Sequence, residues 1–111
     1  MIYSISGSRD FTNYEFICEI LDSYINISHI NVGDCKGVDK LVENYCIEKN
    51  ISYTVFKADW SLGLKAGPLR NKLLITDTEK LIAFLADNSK GTKSAINIAK
   101  SLNIKVDVYK I

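Results

Sequence analysis

The sequence predicts an α/β protein, a three-layer α/β/α domain with a mainly parallel five-stranded sheet. Segments with strand character alternate along the whole chain with segments whose apolar residues recur at helical spacing. Because parallel strands need crossover connections, this alternation indicates helices on both faces of the sheet. The 111 residues, 47% of them hydrophobic, fit one domain that spans residues 1–111.

The first half of the chain is predicted to form three strands and two helices. Residues 1–5 have strand character, and this strand ends at Gly7. Residues 12–24 carry apolar side chains at helical spacing, and Thr12 with Glu15 fits a capping box at the helix start. The remaining predictions are a strand at 29–32, a helix at 38–50 that stops at Asn50, and a strand at 51–56.

The second half adds a long loop, two helices and two strands. The loop at 57–67 holds the only tryptophan, and Pro68 suits the first turn of a helix at 68–77. The continuous apolar run at 80–86 is typical of a strand that is covered on both faces. A polar turn at 87–92, a helix at 93–102 and a strand at 105–111 complete the order.

Composition and charge disfavour several classes of function. The formal net charge of +1 argues against a domain that coats nucleic acid. The longest apolar run, residues 81–86, is far shorter than the ~20 residues of a membrane span. No leader opens the chain, so we expect a cytoplasmic protein without a membrane partner. Three cysteines without CxxC spacing predict reduced thiols, and we expect no metal and no cofactor. His29 is the only histidine, which disfavours a Ser-His-Asp mechanism.

Glycine-containing loops follow three of the predicted strands, at the edge where open α/β sheets bind ligands. They lie at 7–9, 33–39 and 89–92, and each leads into a helix N-terminus that favours an anion. Three such loops at one edge predict a site for a phosphate-bearing ligand. Each loop alone has an ordinary explanation, because glycine is a common turn residue and Asp39 suits the first turn of a helix.

The same loops resemble a known family. GSRDF follows the first strand, GDCKGVD the second, a tryptophan loop leads to AGPLRN, and SKGT precedes the last helix. This set resembles the YspA-like branch of the SLOG superfamily over residues 2–108. That Rossmann-like group also includes the Lonely Guy cytokinin-activating enzymes and the DprA/Smf proteins. The resemblance implies a nucleotide or nucleotide-derived ligand that is bound by the glycine-containing loops.

The loops and the resemblance together give a set of expected ligand-binding residues and two departures from the family pattern. The second loop usually reads GG-A-K/R-G-A-D, whereas Asp34 and Cys35 replace the second glycine and the alanine here. An acid there either repels phosphate or accepts hydrogen bonds from a ribose or a base. Ala95 stands where the Lonely Guy GTxxE motif has its glutamate. The expected ligand-binding residues are Gly7, Ser8, Arg9, Gly33, Asp34, Lys36, Gly37, Asp39, Trp60, Gly67, Arg70, Asn71, Lys90, Gly91 and Thr92.

Three of the residues in these loops have two explanations each. Arg70 lies near a helix N-terminus, where a cation costs a few tenths of a kcal/mol, so either a ligand phosphate or a salt bridge compensates it. Asp59 or another loop acid is the alternative partner, and the resemblance favours the ligand. Trp60 either stacks on a base or packs its loop onto the sheet, and packing is favoured. Cys35 is either a nucleophile or a small filler residue, and the filler is favoured.

These features predict a module that binds a nucleotide-derived ligand without rapid turnover, as a sensor or a sequestering protein. Arg9 and Arg70 are expected to hold phosphate, and Asp34 or Asp39 to contact a ribose. One alternative is a nucleoside-monophosphate phosphoribohydrolase, or another nucleotide N-glycosidase, in which Asp34, Asp39 or Asp59 replaces the missing glutamate. A second alternative is single-stranded DNA binding of the DprA type, which the near-neutral charge disfavours. The superfamily also implies a homo-oligomer, a dimer or higher.

Overall fold

The computed structural model describes residues 1–111 as five parallel strands and four α-helices. The strands are β1 (Ile2–Gly7), β2 (His29–Gly33), β3 (Ser52–Phe56), β4 (Lys80–Leu85) and β5 (Lys105–Lys110). The helices are α1 (Tyr14–Asp22), α2 (Val38–Lys49), α3 (Ala66–Ile75) and α4 (Lys90–Ser101). A 3₁₀ segment, Trp60–Lys65, precedes α3. None of the helices has the length and apolar character that a membrane crossing requires.

The strand order is β3-β2-β1-β4-β5, and every pair of neighbouring strands is parallel. The chain runs outwards from β1 to β3 on one side and then returns to β4 on the other side. The order therefore reverses between β1 and β4, which is where open α/β sheets form a crevice outside the strand ends. This arrangement confirms the predicted Rossmann-like fold class and places the three glycine-containing loops along one edge.

Two apolar clusters hold the three layers together. The larger cluster joins α1 and α2 to one face of the sheet through side chains such as Ile17, Val42 and Phe84. The smaller cluster joins α3 and α4 to the opposite face, with Leu74 and Ala99 against the strands. Alternate residues of β4 enter the two clusters, because successive strand side chains point to opposite faces. Burial on both faces explains the continuous apolar run in this strand.

The helix starts differ from the sequence predictions at three places. Asn13, and not Thr12, caps α1, since its Oδ1 accepts a hydrogen bond of 3.1 Å from the Phe16 N–H. The predicted capping box is therefore wrong. Helix α3 begins at Ala66, before Pro68, and α4 begins at Lys90 directly after its N-cap Ser89. The end of the predicted polar turn, which includes Gly91 and Thr92, thus forms the first turn of α4.

Candidate functional site

A cleft of about 360 Å³ lies at the carboxyl edge of the sheet, between the ends of β1 and β2 and the first turns of α3 and α4. Its volume is at the lower end of the range for sites that bind small molecules. Segments far apart in the chain meet there because the parallel strands all end at this edge. Of the expected ligand-binding residues, the cleft brings together Gly7, Ser8, Arg9, Gly33, Asp39, Arg70, Asn71, Lys90, Gly91 and Thr92.

The other expected residues do not line this cleft. Three of them contact or flank residues around it, and the other two, the exposed Trp60 and the half-buried Gly67, lie outside it. The residues in question are Asp34, Lys36, Gly37, Trp60 and Gly67. The cleft also has lining residues that were not expected as ligand contacts, namely Ser6, Asp10, Cys35, Asn88 and Ser89, together with the apolar Ile5 and Leu74. The positions of the four loop residues, next to Arg9, Asp34 and Lys90 in the sequence, are the signal that would have found them.

Gly37 holds two of the loops against each other. Its φ of +71° is a conformation that side-chain-bearing residues rarely adopt, and a Cβ there would lie 2.3 Å from the Ser8 carbonyl oxygen. The neighbouring Val38 N–H donates a hydrogen bond of 3.0 Å to that same oxygen. Gly37 therefore allows the close approach of the loop after β2 to the loop after β1, and the structure gives it a packing role.

Arg70 is buried at one end of the cleft and has polar partners on three sides. Its Nη1 donates a hydrogen bond of 2.6 Å to Oδ1 of Asp34, and its Nε donates one of 3.0 Å to Oδ1 of Asn71. Its Nη2 lies 3.7 Å from the Cys35 sulfur. The guanidinium thus has a loop acid as its partner, the alternative to a ligand phosphate, and that acid is Asp34 and not Asp59.

Asp39 is the buried carboxyl of the cleft, with only 6% of the residue exposed. Its Oδ2 accepts a hydrogen bond of 3.1 Å from the Cys35 N–H, whereas no donor of the protein reaches its Oδ1. Burial, with a smaller contribution from Asp34, raises the pKa of this carboxyl to about 7 against the lowering effects of the Cys35 N–H and Arg70. A carboxyl that is half ionised near neutral pH in a cleft is a candidate functional group.

The first turn of α4 forms the opposite end of the cleft. No side chain caps this helix, because the hydroxyl of its N-cap Ser89 accepts a hydrogen bond from the Ala86 N–H. Asn71 links α3 to this turn through a hydrogen bond of 3.4 Å from its Nδ2 to the Gly91 carbonyl oxygen. The exposed cation Lys90 lies on this turn, and the exposed cation Arg9 lines the cleft from the loop after β1. Uncapped amides and two cations together favour an anion here.

Trp60 lies outside the cleft. It begins the 3₁₀ segment, and Asp59 caps that segment by accepting a hydrogen bond of 3.1 Å from the Ser61 N–H. The residue is 59% exposed, and its ring lies at the start of α3, where a Cβ on Gly67 would be 3.7 Å from it. The ring therefore lies beside the start of α3 and does not line this cleft.

Comparison with known proteins gives one match. The model of the YspA, cpYpsA-related SLOG family matches residues 4–63, which is more than half of the chain. The matched part contains the loops after β1 and β2 and ends at Gly63, before the residues that α3 and α4 contribute to the cleft. No curated protein and no solved structure matches the chain.

Proposed function

The chain belongs to the YspA, cpYpsA-related SLOG family, and we propose that it binds a nucleotide or nucleotide-derived ligand in the cleft at the carboxyl edge of the sheet. The family assignment gives a nucleotide-related function in general. The observation that carries the more specific proposal is the meeting of four remote segments, 7–10, 33–39, 70–74 and 88–92, around one polar cleft. We propose that the protein acts as a sensor or a sequestering module for this ligand.

The phosphate of the ligand is proposed to bind at the α4 end of the cleft. No side chain caps the first turn of α4, and the positive end of the helix dipole lies at this end of the cleft; of the first amides, the Lys90 N–H is already bonded to the Asn88 carbonyl oxygen. Lys90 adds an exposed cation to this turn, and we propose that Arg9 reaches the phosphate from the loop after β1; Asp10 is the one exposed acid that lines the cleft. This combination of backbone N–H groups and cations supports the proposed phosphate-binding loop at 89–92.

The test of this proposal is native mass spectrometry of the protein as purified, followed by titration with a panel of nucleotides. We expect either a stoichiometric ligand that is released intact on denaturation or micromolar binding of at least one nucleotide. Chemical shift changes confined to the amides of residues 7–10, 33–39 and 88–92 would support the cleft as the site. The absence of binding by every nucleotide of the panel, with no ligand in the purified protein, would contradict the proposal.

A nucleotide N-glycosidase is the second candidate function, and Asp39 is the observation that favours it. A carboxyl with a pKa of about 7 can donate and accept a proton near neutral pH. Against this candidate, Ala95 lies at the position of the Lonely Guy glutamate and is fully buried in the smaller apolar cluster. Mass spectrometry of the same incubations separates the two functions, because only the enzyme releases free base in amounts that exceed the protein.

Self-association and a cytoplasmic location remain proposals. Exposed large apolar side chains are concentrated in one stretch of the chain, with Leu64 95% exposed and Trp60, Leu62, Leu69 and Leu73 also at the surface. Concentrated exposed apolar side chains are typical of interaction surfaces. We propose that a second copy of the chain covers this stretch. Light scattering over a range of concentrations tests the proposal, and a constant monomer mass would contradict it.

A further inference from the structure

We propose that the Asp39 carboxyl recognises a hydroxyl group of the ligand's sugar, so that the ligand lies with its sugar at the Asp39 end of the cleft and its phosphate at the α4 end. This inference rests on the proposed function and deepens it, since it assigns the two ends of the cleft to different parts of the ligand. It also selects Asp39 over Asp34 as the acid that contacts the ligand.

The hydrogen bonds of Asp39 leave one acceptor free in the cleft. The residue is 94% buried, since 6% of it is exposed, and its Oδ2 already accepts from the Cys35 N–H. Its Oδ1 has no donor within the protein, although the residue lines the cleft. Because no fully buried side-chain oxygen or nitrogen of the protein lacks a hydrogen-bond partner, this Oδ1 is open to the cleft, where it can accept from a ligand group that donates a hydrogen bond. A sugar hydroxyl is such a group, and an ionised phosphate is not.

The charges that face Asp39 also exclude phosphate from this end. They are Arg70 on α3 and Asp34 on the preceding loop; the other charged residues that line the cleft are Arg9, Asp10 and Lys90. Asp34 already pairs with Arg70 at 2.6 Å, so the guanidinium charge is largely compensated. A phosphate placed beside Arg70 would therefore meet two carboxyl groups, and like charges in a partly buried site repel strongly.

A hydroxyl fits this end because it both donates and accepts a hydrogen bond. Its proton can go to Asp39 Oδ1. Its oxygen can accept from Arg70 Nη2, whose only partner within the protein is the Cys35 thiol, at 3.7 Å. Asp34 offers no comparable site, because the residue does not line the cleft. Arg70 therefore does not bind the phosphate in this arrangement, and Arg9 and the start of α4 bind it instead.

The preference of the site for a ligand with a hydroxyl group should increase as the pH rises. A hydroxyl that donates to Asp39 interacts more strongly with the carboxylate than with the neutral acid. Because burial raises the pKa of Asp39 to about 7, the carboxylate is a minor form at pH 6 and the major form at pH 8. The preference for a ligand with the hydroxyl should therefore increase between these two values. A phosphate beside Asp39 would give the opposite trend.

The experiment compares AMP with 2′-deoxy-AMP and 3′-deoxy-AMP as probes, by calorimetry or NMR titration. The three probes have the same titrating phosphate, so the ratio of their dissociation constants cancels its pH dependence. We expect at least one deoxy analogue to bind about 10–100-fold more weakly than AMP at pH 8, the scale of a hydrogen bond to a charged group. The dissociation constant of that analogue divided by the dissociation constant of AMP should be about five- to tenfold smaller at pH 6 than at pH 8.

The variant arm uses Asp39→Asn, with Glu43→Gln as the control on the same helix and outside the cleft. We expect the ratio to become nearly pH-independent and to fall to within about threefold of one in Asp39→Asn, and to stay unchanged in Glu43→Gln. The pH series on the unaltered protein tests the inference even if Asp39→Asn fails to fold. Binding of AMP without a hydroxyl preference at any pH would overturn the inference alone. Failure of all nucleotides to bind would overturn the proposed function and this inference with it.

Discussion

Arg70 Nη1 and Asp34 Oδ1 lie 2.6 Å apart, and this contact joins helix α3 to the loop that follows β2. The two residues come from elements that pack on opposite sides of the sheet edge. The ion pair therefore ties the loop after β2 to the start of α3, beside the cleft. It also explains how a cation can lie near the start of a helix, where the helix dipole alone would disfavour it.

Replacement of the Asp34 carboxylate should destabilise the fold. In Asp34→Asn, the buried guanidinium of Arg70 loses its charged partner, and we expect the free energy of unfolding to fall by about 1–3 kcal/mol. Urea denaturation followed by circular dichroism measures this change. The control is Lys40→Gln, which breaks the exposed pair between Lys40 and Glu43, at 3.3 Å. That loss should stay below about 0.5 kcal/mol, and equal losses in both variants would contradict the prediction.

A side chain at Gly33 should disturb the candidate site. A Cβ there would lie 2.7 Å from Asp39 Oδ2 and 2.8 Å from Arg70 Nη1, both of them buried groups. We expect Gly33→Ala to cost about 1–3 kcal/mol of stability and to shift the amide resonance of Cys35, which donates to Asp39. Gly91→Ala is the matched control, because nothing lies within 4 Å of its Cβ position. It should leave stability unchanged or raise it by up to about 1 kcal/mol.

Gly37 and Gly63 separate the effect of backbone conformation from that of crowding. Both have a positive φ, +71° and +73°, so alanine is strained at either position. Only Gly37 is crowded, with the Ser8 carbonyl oxygen 2.3 Å from the Cβ position, whereas Gly63 has open space. We expect Gly63→Ala to cost about 1–3 kcal/mol and Gly37→Ala clearly more. Thermal unfolding of the two variants checks the order, and a smaller loss for Gly37→Ala would contradict it.

Asp39 should make the protein less stable as pH rises from 4 to 7. Burial raises the pKa of this carboxyl in the folded state from 3.8 to about 7, so between these values the folded chain binds a proton that the unfolded chain has lost. The contribution of Asp39 to the free energy of unfolding therefore decreases with rising pH in this window, by up to about 4 kcal/mol in total. Above pH 7 this contribution is constant. Asp39→Asn removes this contribution. The stability difference between the variant and the unaltered protein should grow from pH 4 to 7, and a constant difference would contradict the prediction.

Arg9 should act on the phosphate of the ligand and not on its base or sugar. We expect Arg9→Ala to weaken AMP binding by about 1.5–3 kcal/mol and to leave adenosine binding unchanged. Isothermal titration calorimetry with both ligands gives the comparison. Lys100→Ala, at the far end of α4, is the control and should change neither affinity. Equal weakening of AMP and adenosine binding would show that Arg9 does not act on the phosphate.

Much of the fold follows from the sequence because the apolar spacing is unambiguous in most elements. The helix at 38–50 is predicted almost to the residue, and Asn50 ends it with a φ of +57°. Helix starts are less predictable, since capping depends on which polar side chain reaches a free amide. Asn13 reaches the Phe16 N–H, and Thr12, one residue earlier, does not form the cap.

The candidate site is predictable at the level of loops and less so at the level of contacts. The loops after β1 and β2 and the start of α4 meet as expected, because parallel strands place their carboxyl ends together. The pairing of Arg70 with Asp34 and the burial of Asp39 are set by the distance between α3 and the loop after β2. That distance is a tertiary quantity, which local sequence patterns do not contain.

The segment that α4 contributes to the cleft lies late in the chain, at residues 88–92. The segment that follows β1 and lines the same cleft lies at residues 7–10. During synthesis, more than three quarters of the polypeptide must leave the ribosome before the cleft can close. Strand pairings over such separations form slowly, because the ends of long loops must first come together. Any molecule that occupies the cleft therefore stabilises only the completed fold, and a nascent or truncated chain gains nothing from it.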